Sequence, residues 1–555
     1  MIRLILGAVC AIAGLTVAGL AVSAIAAVGT DEVTGTEPFT VQDGAYAVVL
    51  NEQLVPYEGA SAAITATGEQ ELFIGTASGV DTASYLTGIA HEEITEVDFG
   101  ARALAHRFVP GEPQPAAPVT NRDWFLDTSA GTTVTHRFDL DAEPNVVLIA
   151  PVDPEGNLDG VTVSMSMDVQ GVLAFSLLGA GLAVLFLGLA AFLLLRWWSS
   201  RLRPPPKGPA DSAVRPGRLA GLRAAVADRL GRRRRVAATA GASALVLGLS
   251  GCAVLPVAQP AAPELTPYER PPLRAGEAGA FMTEYTERLG ETLSGDQSAL
   301  DQIQTGPLLE RTRAEILIAE AEEETLGAVS FAEVTAGGPM FSDYPMWFIA
   351  VGDPGESDTV QAMLVTRESA VQDWKVGQAL FVPRDQVPTL VADADGGVPM
   401  APDEHQDVVQ AVNEQLVPYL ETGELPESDV AIAYPTDTFR SFREYVDQFS
   451  EGDDAFDDVT VSCEPYSDVD LAGLALQTQT GSVSFGETRC AITLKVPGDF
   501  ALDMGTAVEA VMTSDGEGNV VQINTSLPHM LTTTDDSSSV VGSDWFLLSA
   551  QTSQE

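Results

Sequence analysis

Gly171–Leu195 reads GVLAFSLLGAGLAVLFLGLAAFLLL, 25 residues without a charge, closed by Arg196-Trp197-Trp198. About 20 apolar residues in a helix cross a hydrocarbon core, and Trp beside Arg marks the membrane–water interface. The stretch predicts a transmembrane helix, and the rest of the 555-residue chain is organised around it. Two further runs are long enough: Leu4–Val28, 25 residues, and Val236–Val257, 22 residues. The first reads either as a signal anchor or as a cleaved signal peptide with Ala24-Ile25-Ala26 as a small-residue site; its length favours the anchor. Three transmembrane helices are expected.

Charge orients them. Residues 196–235 hold 12 Lys and Arg against two acids, Asp211 and Asp228. The whole chain carries −49, so outside this segment and Arg3 the balance is 16 basic to 76 acidic residues, a net of −60. The positive-inside rule puts 196–235 in the cytoplasm. The N-terminus is then cytoplasmic, and residues 29–170 and 258–555 are extracytoplasmic. Within the basic segment, Leu219, Leu222, Val226 and Leu230 share a helical face flanked by Arg218, Arg223 and Arg229. That pattern suits an anionic membrane surface, and the charges also suffice to hold the loop inside. Surfaces as acidic as the outer ones repel nucleic acid, so no nucleic-acid partner is expected. Arg outnumbers Lys 26 to 3, a bias of GC-rich genomes such as those of actinobacteria.

The first outer region predicts an all-β domain, an antiparallel sandwich. Strands are expected at Tyr46–Leu50, Ala62–Thr67, Leu72–Thr76, Thr133–Leu140, Asn145–Ala150 and Val161–Asp168. The last two are expected to form a hairpin across Asp153–Asn157, and a short helix is expected at Val80–Ile89. Through Leu72-Phe73-Ile74-Gly75, Val80-Asp81, Tyr85-Leu86-Thr87-Gly88-Ile89-Ala90-His91-Glu92-Glu93 and Trp124-Phe125, residues 40–196 resemble an uncharacterised family of actinobacterial membrane proteins. The resemblance implies no activity.

After a Pro-rich linker at 258–274, the second outer region predicts α+β structure in two parts, 275–395 and 400–555. Helices are expected near Gly279–Leu293 and Pro307–Glu324, then strands at Val329–Thr335, Met346–Val351, Thr359–Thr366 and Trp374–Val382. The order recurs with helices at His405–Leu420 and Ser441–Phe449, then strands at Ala472–Gln479, Thr488–Val496, Val508–Thr513 and Val520–Ser526. This order is similar to two cystatin-like (nuclear transport factor 2-like) repeats. Tyr344-Pro345-x-Trp347-Phe348 and Trp374-Lys375-Val376 resemble uncharacterised actinobacterial lipoproteins, a likeness extending over about 236–555. Two echoes link the outer regions: Asn51-Glu52-Gln53-Leu54-Val55-Pro56-Tyr57 returns at Asn413–Tyr419, and Asp123-Trp124-Phe125-Leu126 at Asp544–Leu547.

Catalytic material is thin. The chain has five His, three Lys, and none of the nucleophile-elbow, P-loop, dinucleotide or zinc-protease motifs. No catalytic residue, cofactor or metal ligand is assigned. His91-Glu92-Glu93 lacks a second ligand pair at metal spacing, Asp153, Glu155, Asn157 and Asp159 read as a solvated turn, and the acids at Glu451–Asp454 as a solvated loop. His405 and His529 read as surface or helix-end residues. Arg232–Arg235, an apolar run and Leu249-Ser250-Gly251-Cys252 resemble a bacterial lipoprotein signal, which implies lipid on Cys252 and a cut before it. The alternative is that Val236–Val257 stays a span with Cys252 inside it. Cys463 and Cys490 are expected to form a disulfide, as an extracytoplasmic compartment permits. The expectation is a non-catalytic, membrane-anchored cell-envelope protein that binds or scaffolds envelope proteins or wall components. The alternative is an extracytoplasmic hydrolase or transferase using carboxylates of the second outer region.

Overall fold

The computed structural model describes residues 2–28, 33–55, 60–140, 145–168, 172–201, 265–274, 276–355, 357–393, 396–424, 427, 431–433, 437–451, 456–471, 473–497, 503–514, 518–534 and 537–554. The basic segment beyond Arg201, the run Val236–Val257, Cys252, most of the Pro-rich linker and the acidic cluster at 452–454 lie outside them.

Among the described residues two helices are long and apolar enough to cross a membrane, α1 (Ile2–Val28) and α3 (Val172–Arg201). They pack antiparallel. Gly7 faces Leu194, Gly14 faces Leu187, and Gly179 faces Ala21. The buried positions recur every seven residues on both helices: Gly7, Gly14 and Ala21 on one, Ser176, Ala183 and Ala190 on the other. Small residues let helix backbones approach, and a seven-residue period keeps one seam facing its partner. Leucine covers much of the outward surface.

Between these helices lies a nine-stranded sheet: β1 (Val33–Gly35), β2 (Phe39–Thr40), β3 (Ala47–Asn51), β4 (Ser61–Ala77), β5 (His91–Asp98), β6 (Ala103–Val109), β7 (Asp127–Asp139), β8 (Val146–Pro151) and β9 (Thr162–Asp168). β1 pairs antiparallel with β9, Val33 opposite Asp168, so the two helices adjoin neighbouring strands. The sequence divides β4 in two at Gly68-Glu69-Gln70, but it is one 17-residue strand with a shift in register. Nor do β8 and β9 form the expected hairpin. Both pair antiparallel with β4 along one edge and run end to end, so the link at 152–161 is an excursion rather than a reversal. In place of an all-antiparallel sandwich there is one branched sheet containing a parallel pair, β3–β5. Alternation along β8 explains its burial on both faces. Val147 and Ile149 join the core with Leu50, Ile64 and Leu72, while Leu148 and Ala150 face Phe73, Tyr85 and Trp124 on the other side. The helix α2 (Gly79–Tyr85) covers that second face. Ser78 caps it, accepting from Val80 N at 3.3 Å, and Gly88 at φ +77° turns the chain back after it.

The C-terminal region is α+β. A central body joins α4 (Glu277–Ser294) and α5 (Gly306–Glu322) to the antiparallel sheet β10 (Glu333–Gly337), β11 (Met346–Asp353), β12 (Thr359–Arg367) and β13 (Lys375–Pro383). A terminal body joins α6 (Asp403–Thr422), α7 (Asp437–Glu451) and α8 (Thr506–Ala510) to a seven-stranded sheet. Its strands are β14 (Ala431–Ala433), β15 (Asp458–Pro465), β16 (Leu476–Gln477), β17 (Ser482–Lys495), β18 (Val520–Thr533), β19 (Ser537–Ser543) and β20 (Phe546–Ser553). The strand expected at Val508–Thr513 begins instead as α8, because Val508 and Val511 both turn inward at i, i+3 spacing. Cys463 and Cys490 sit opposite each other on β15 and β17, with Cα atoms 4.1 Å apart, and are disulfide-bonded.

Candidate functional site: the seam between the β-rich and central bodies

Asp81, in the first turn of α2, is fully buried. Its Oδ1 accepts from Arg270 Nη2 at 2.8 Å and from Tyr344 OH at 2.6 Å, both from the C-terminal region. Burial pushes this carboxyl above the ordinary range, against the pull of Arg270 and Tyr344. Arg270 is itself fixed to the central body by a reciprocal backbone pair with Phe341. The seam runs on from there. Arg367 grips Asp123 with two bonds, at 2.8 and 3.2 Å, a geometry suited to guanidinium and carboxylate. Trp124 Nε1 donates to Ala370 O at 3.0 Å, and its carbonyl accepts from Arg274 at 2.7 Å. Arg122 donates to Val371 O at 2.9 Å, and Ala370 N to Ser84 Oγ at 3.1 Å.

At the far end, Tyr268 lies over α2. Its hydroxyl is 2.7 Å from Asn51 Oδ1 and 3.1 Å from Asn145 O. Gln53 and the Thr266 backbone exchange two bonds, of 2.7 and 3.1 Å. The first copies of both sequence echoes therefore build this seam. Beneath them Glu52 is buried, accepting from Asn145 N at 2.9 Å, and desolvation pushes its carboxyl up to about 7.

Beside the seam opens a cleft of about 530 Å³ between Asn121–Asp123, α4 and Asp373-Trp374. That volume is within the range of small-ligand sites. Its charges face one another, Arg122 with Asp373 and Arg288 with Glu284, each at 3.7 Å. Phe281 and Tyr285 stack on its α4 wall. A wall of paired charges and aromatic rings suits a ligand rich in hydroxyl or amide groups better than a polyanion.

A second polar cluster joins the central and terminal bodies. Arg311 of α5 is buried, donates to Ala379 O at 2.6 Å and lies 4.5 Å from the Phe546 ring. Glu487 accepts from Gln378 at 2.7 Å and from Ser526 at 2.9 Å, and Arg489 ties it to Glu310. Near Arg311, Glu315 and Asp544 are both pushed above the ordinary carboxylate range, chiefly by burial; the Asp544 charge adds to the rise at Glu315 and the guanidinium opposes both. Glu315 also lines an apolar pocket of about 300 Å³ with Tyr445, Trp545 and Phe546.

Residues 270–535 match a family model described as "Domain of unknown function (DUF8094)". The match takes in the central body and most of the terminal one, and it starts at the arginine that enters the seam. No curated protein and no solved structure matches the chain.

The residues weighed in the sequence fall elsewhere. His91 lies at the start of β5, its Nδ1 2.7 Å from Ile89 O, with Glu93 beside it at 3.5 Å. Glu92, on the opposite face, is buried and faces His106 at 3.3 Å. Among the described residues no group of three or more His, Cys, Asp or Glu side chains is arranged to hold a metal. Asp153, Asn157 and Asp159 accept from backbone N–H groups, at Glu155, Asp159 and Gly44 respectively. His405 lies in the first turn of α6, at the helix end as expected, but is buried there; His529 is buried within β18, correcting the expectation of a surface or helix-end position. In the DUF8094 region His529 Nε2 meets Asn413 Oδ1 at 2.9 Å, so the second heptapeptide echo anchors a core histidine; desolvation lowers its pKa to about 4. The Asp81–Arg270 pair had no local signal, since 189 residues separate its members.

Proposed function

We propose that this chain is a non-catalytic, membrane-anchored cell-envelope protein whose outer mass binds an envelope protein or wall component at the cleft beside the seam. The observation that carries the reading is the seam itself. It joins the β-rich body to the DUF8094 region through buried side chains and puts a recess of ligand size along the junction. Membrane anchoring draws support from the small-residue packing of α1 on α3. With that antiparallel pair in the bilayer, the β-rich body emerges on one side, and the N-terminus and Arg196 lie on the other, where the positive-inside rule wants them. In this topology both outer bodies are extracytoplasmic, and Val236–Val257 is either a lipoprotein signal with Cys252 as the lipidation site or a third span with Cys252 inside it.

Photo-crosslinking residues placed at Glu284 and Arg288 in intact cells test the binding reading. Capture of a discrete envelope component there, and not at Asp385 on the same body, is the expected result. An identical pattern at all three positions overturns it. Cysteine labelling tests the topology: Ser212 is expected protected and Thr133 exposed, and the reverse defeats it.

The second reading, an envelope hydrolase or transferase, rests on Glu315 and Asp544, two carboxyls with raised pKa beside a pocket. Carbon-13 NMR titration decides it, because carboxyls that both titrate in the ordinary range leave no general acid there.

A further inference from the structure

We infer that the seam is a self-sufficient binding surface: the β-rich body, residues 33–168, is a receptor that holds residues 265–554 without the covalent link between them. Three observations carry this. First, the contacts are of the kind that join separate chains. Tyr268, Tyr344, Trp124, Arg270 and Arg367 supply most of the polar bonds, and aromatic residues and arginine are the side chains enriched at interfaces. Second, the burial is reciprocal. Val80 of the β-rich body packs into the apolar core of the central body, and Ala370 of the central body packs among Tyr85, Leu86 and Trp124. Third, the fit depends on a missing side chain. A Cβ on Gly79 would lie 2.0 Å from the Tyr268 ring, so α2 accepts Tyr268 only because residue 79 is glycine. Gly79 has no left-handed conformation that would require glycine for its own sake. The occupant this surface fits is a DUF8094-type module preceded by the Thr266–Arg270 segment, whether on the same chain or on a chain freed by a cut upstream of residue 265.

The test uses the full chain in isolated membranes, with a site-specific protease sequence inserted between Ala258 and Pro263. Cleavage leaves every candidate membrane segment on the N-terminal piece. The C-terminal piece is expected to sediment with the membranes through a high-salt wash. Gly79→Ala is expected to release it, lowering retention by about tenfold or more, as overpacking of a tight contact does. Alanine suits a helix better than glycine does, so the variant leaves α2 intact. Gly290→Ala, on α4 away from the seam, serves as the control and is expected to retain the piece. Tyr268→Ala added to Gly79→Ala clears the space and is expected to restore part of the retention. Release of the unsubstituted piece on cleavage overturns the proposal, and so does retention of the Gly79→Ala piece at the unsubstituted level.

Discussion

The central body of α4, α5 and β10–β13 meets a neighbour on each side, and the two contacts are made of different material. Toward the terminal body the contact is a divided hydrophobic core. Ile349, Leu364, Leu380 and Val382 pack directly with Leu476, Val483, Phe485 and Met530. The polar groups there, Arg311, Glu487 and Gln378, are buried within the same mass. Toward the β-rich body the contact is mostly side chains reaching across to carboxylates and backbone carbonyls, with short apolar insertions. Burial of apolar surface is the dominant favourable term in folding. The first contact therefore adds a shared apolar cluster to the cores of the two bodies and couples their folding, while the second joins bodies mainly through polar bonds, each with a core of its own.

The largest effect is expected at the divided core. Phe485 is fully buried between the central and terminal bodies. Phe485→Ala should cost about 3–5 kcal/mol and melt residues 265–554 as one unit. Calorimetry showing two separate transitions would defeat the idea of a shared core. The disulfide supplies a contrast within the terminal body. Cys463→Ser removes a crosslink spanning 27 residues, worth about 3 kcal/mol of chain entropy. The thermal midpoint should fall, yet the seam should hold, as judged by retention after linker cleavage. Release of the piece would mean that the two contacts are coupled.

The sequence makes some of this contrast readable. Apolar runs mark α1 and α3, and i, i+4 spacing marks α4 and α6, because burial of one face follows helical period. The register of Cys463 against Cys490 agrees with the expected pairing. What local pattern does not carry is partner choice. In the heptapeptide at Asn51, Glu52–Leu54 form a 3-10 turn after β3, whereas the copy at Asn413 lies inside α6, where Val409, Val412, Leu416 and Leu420 impose a helical face. Asp123 and Asp544 open identical tetrapeptides. One is gripped by Arg367 across the seam and the other lies near Arg311 of the central body. Both copies of the tetrapeptide lie against an arginine of the central body, a relation set by tertiary packing that no spacing in the sequence announces.

Acidity offers a way to probe the ground beneath the seam. Glu52 is pushed from 4.5 to about 7 by burial; the neighbouring Tyr268 phenol is raised chiefly by its own burial, with a smaller push from the Glu52 charge. A carboxyl with a raised folded-state pKa contributes full stability below its unfolded value and loses it as pH rises through the folded one. The β-rich body should therefore weaken between pH 4.5 and about 7 through this group. Glu52→Gln stays neutral throughout, and should melt higher than the unsubstituted protein at a pH of about 8, by up to about 3 kcal/mol. At a pH of about 4.5 the two should coincide. Parallel melting curves across that window would show that Glu52 is not desolvated.

The smallest expected effect isolates one bond of the seam. Trp124 is almost fully buried and its Nε1 donates to Ala370 O at 3.0 Å, while its own carbonyl accepts from Arg274. Trp124→Phe keeps an aromatic ring and leaves the backbone carbonyl in place, so the Arg274 bond survives. Only the indole donor is lost, leaving the Ala370 carbonyl without that partner. A net loss of about 1 kcal/mol is expected, which is roughly a fivefold fall in the seam's equilibrium constant. Ala370 lies in the turn between β12 and β13, outside the divided core, so the melting of residues 265–554 should not move. Retention after linker cleavage should drop modestly, well short of the release expected for Gly79→Ala. If Trp124→Phe releases the piece completely, the seam hangs on one anchor rather than on distributed bonds. If it shifts the melting of the DUF8094 region instead, the two contacts of the central body are not independent, and the distinction between a divided core and a docked surface fails.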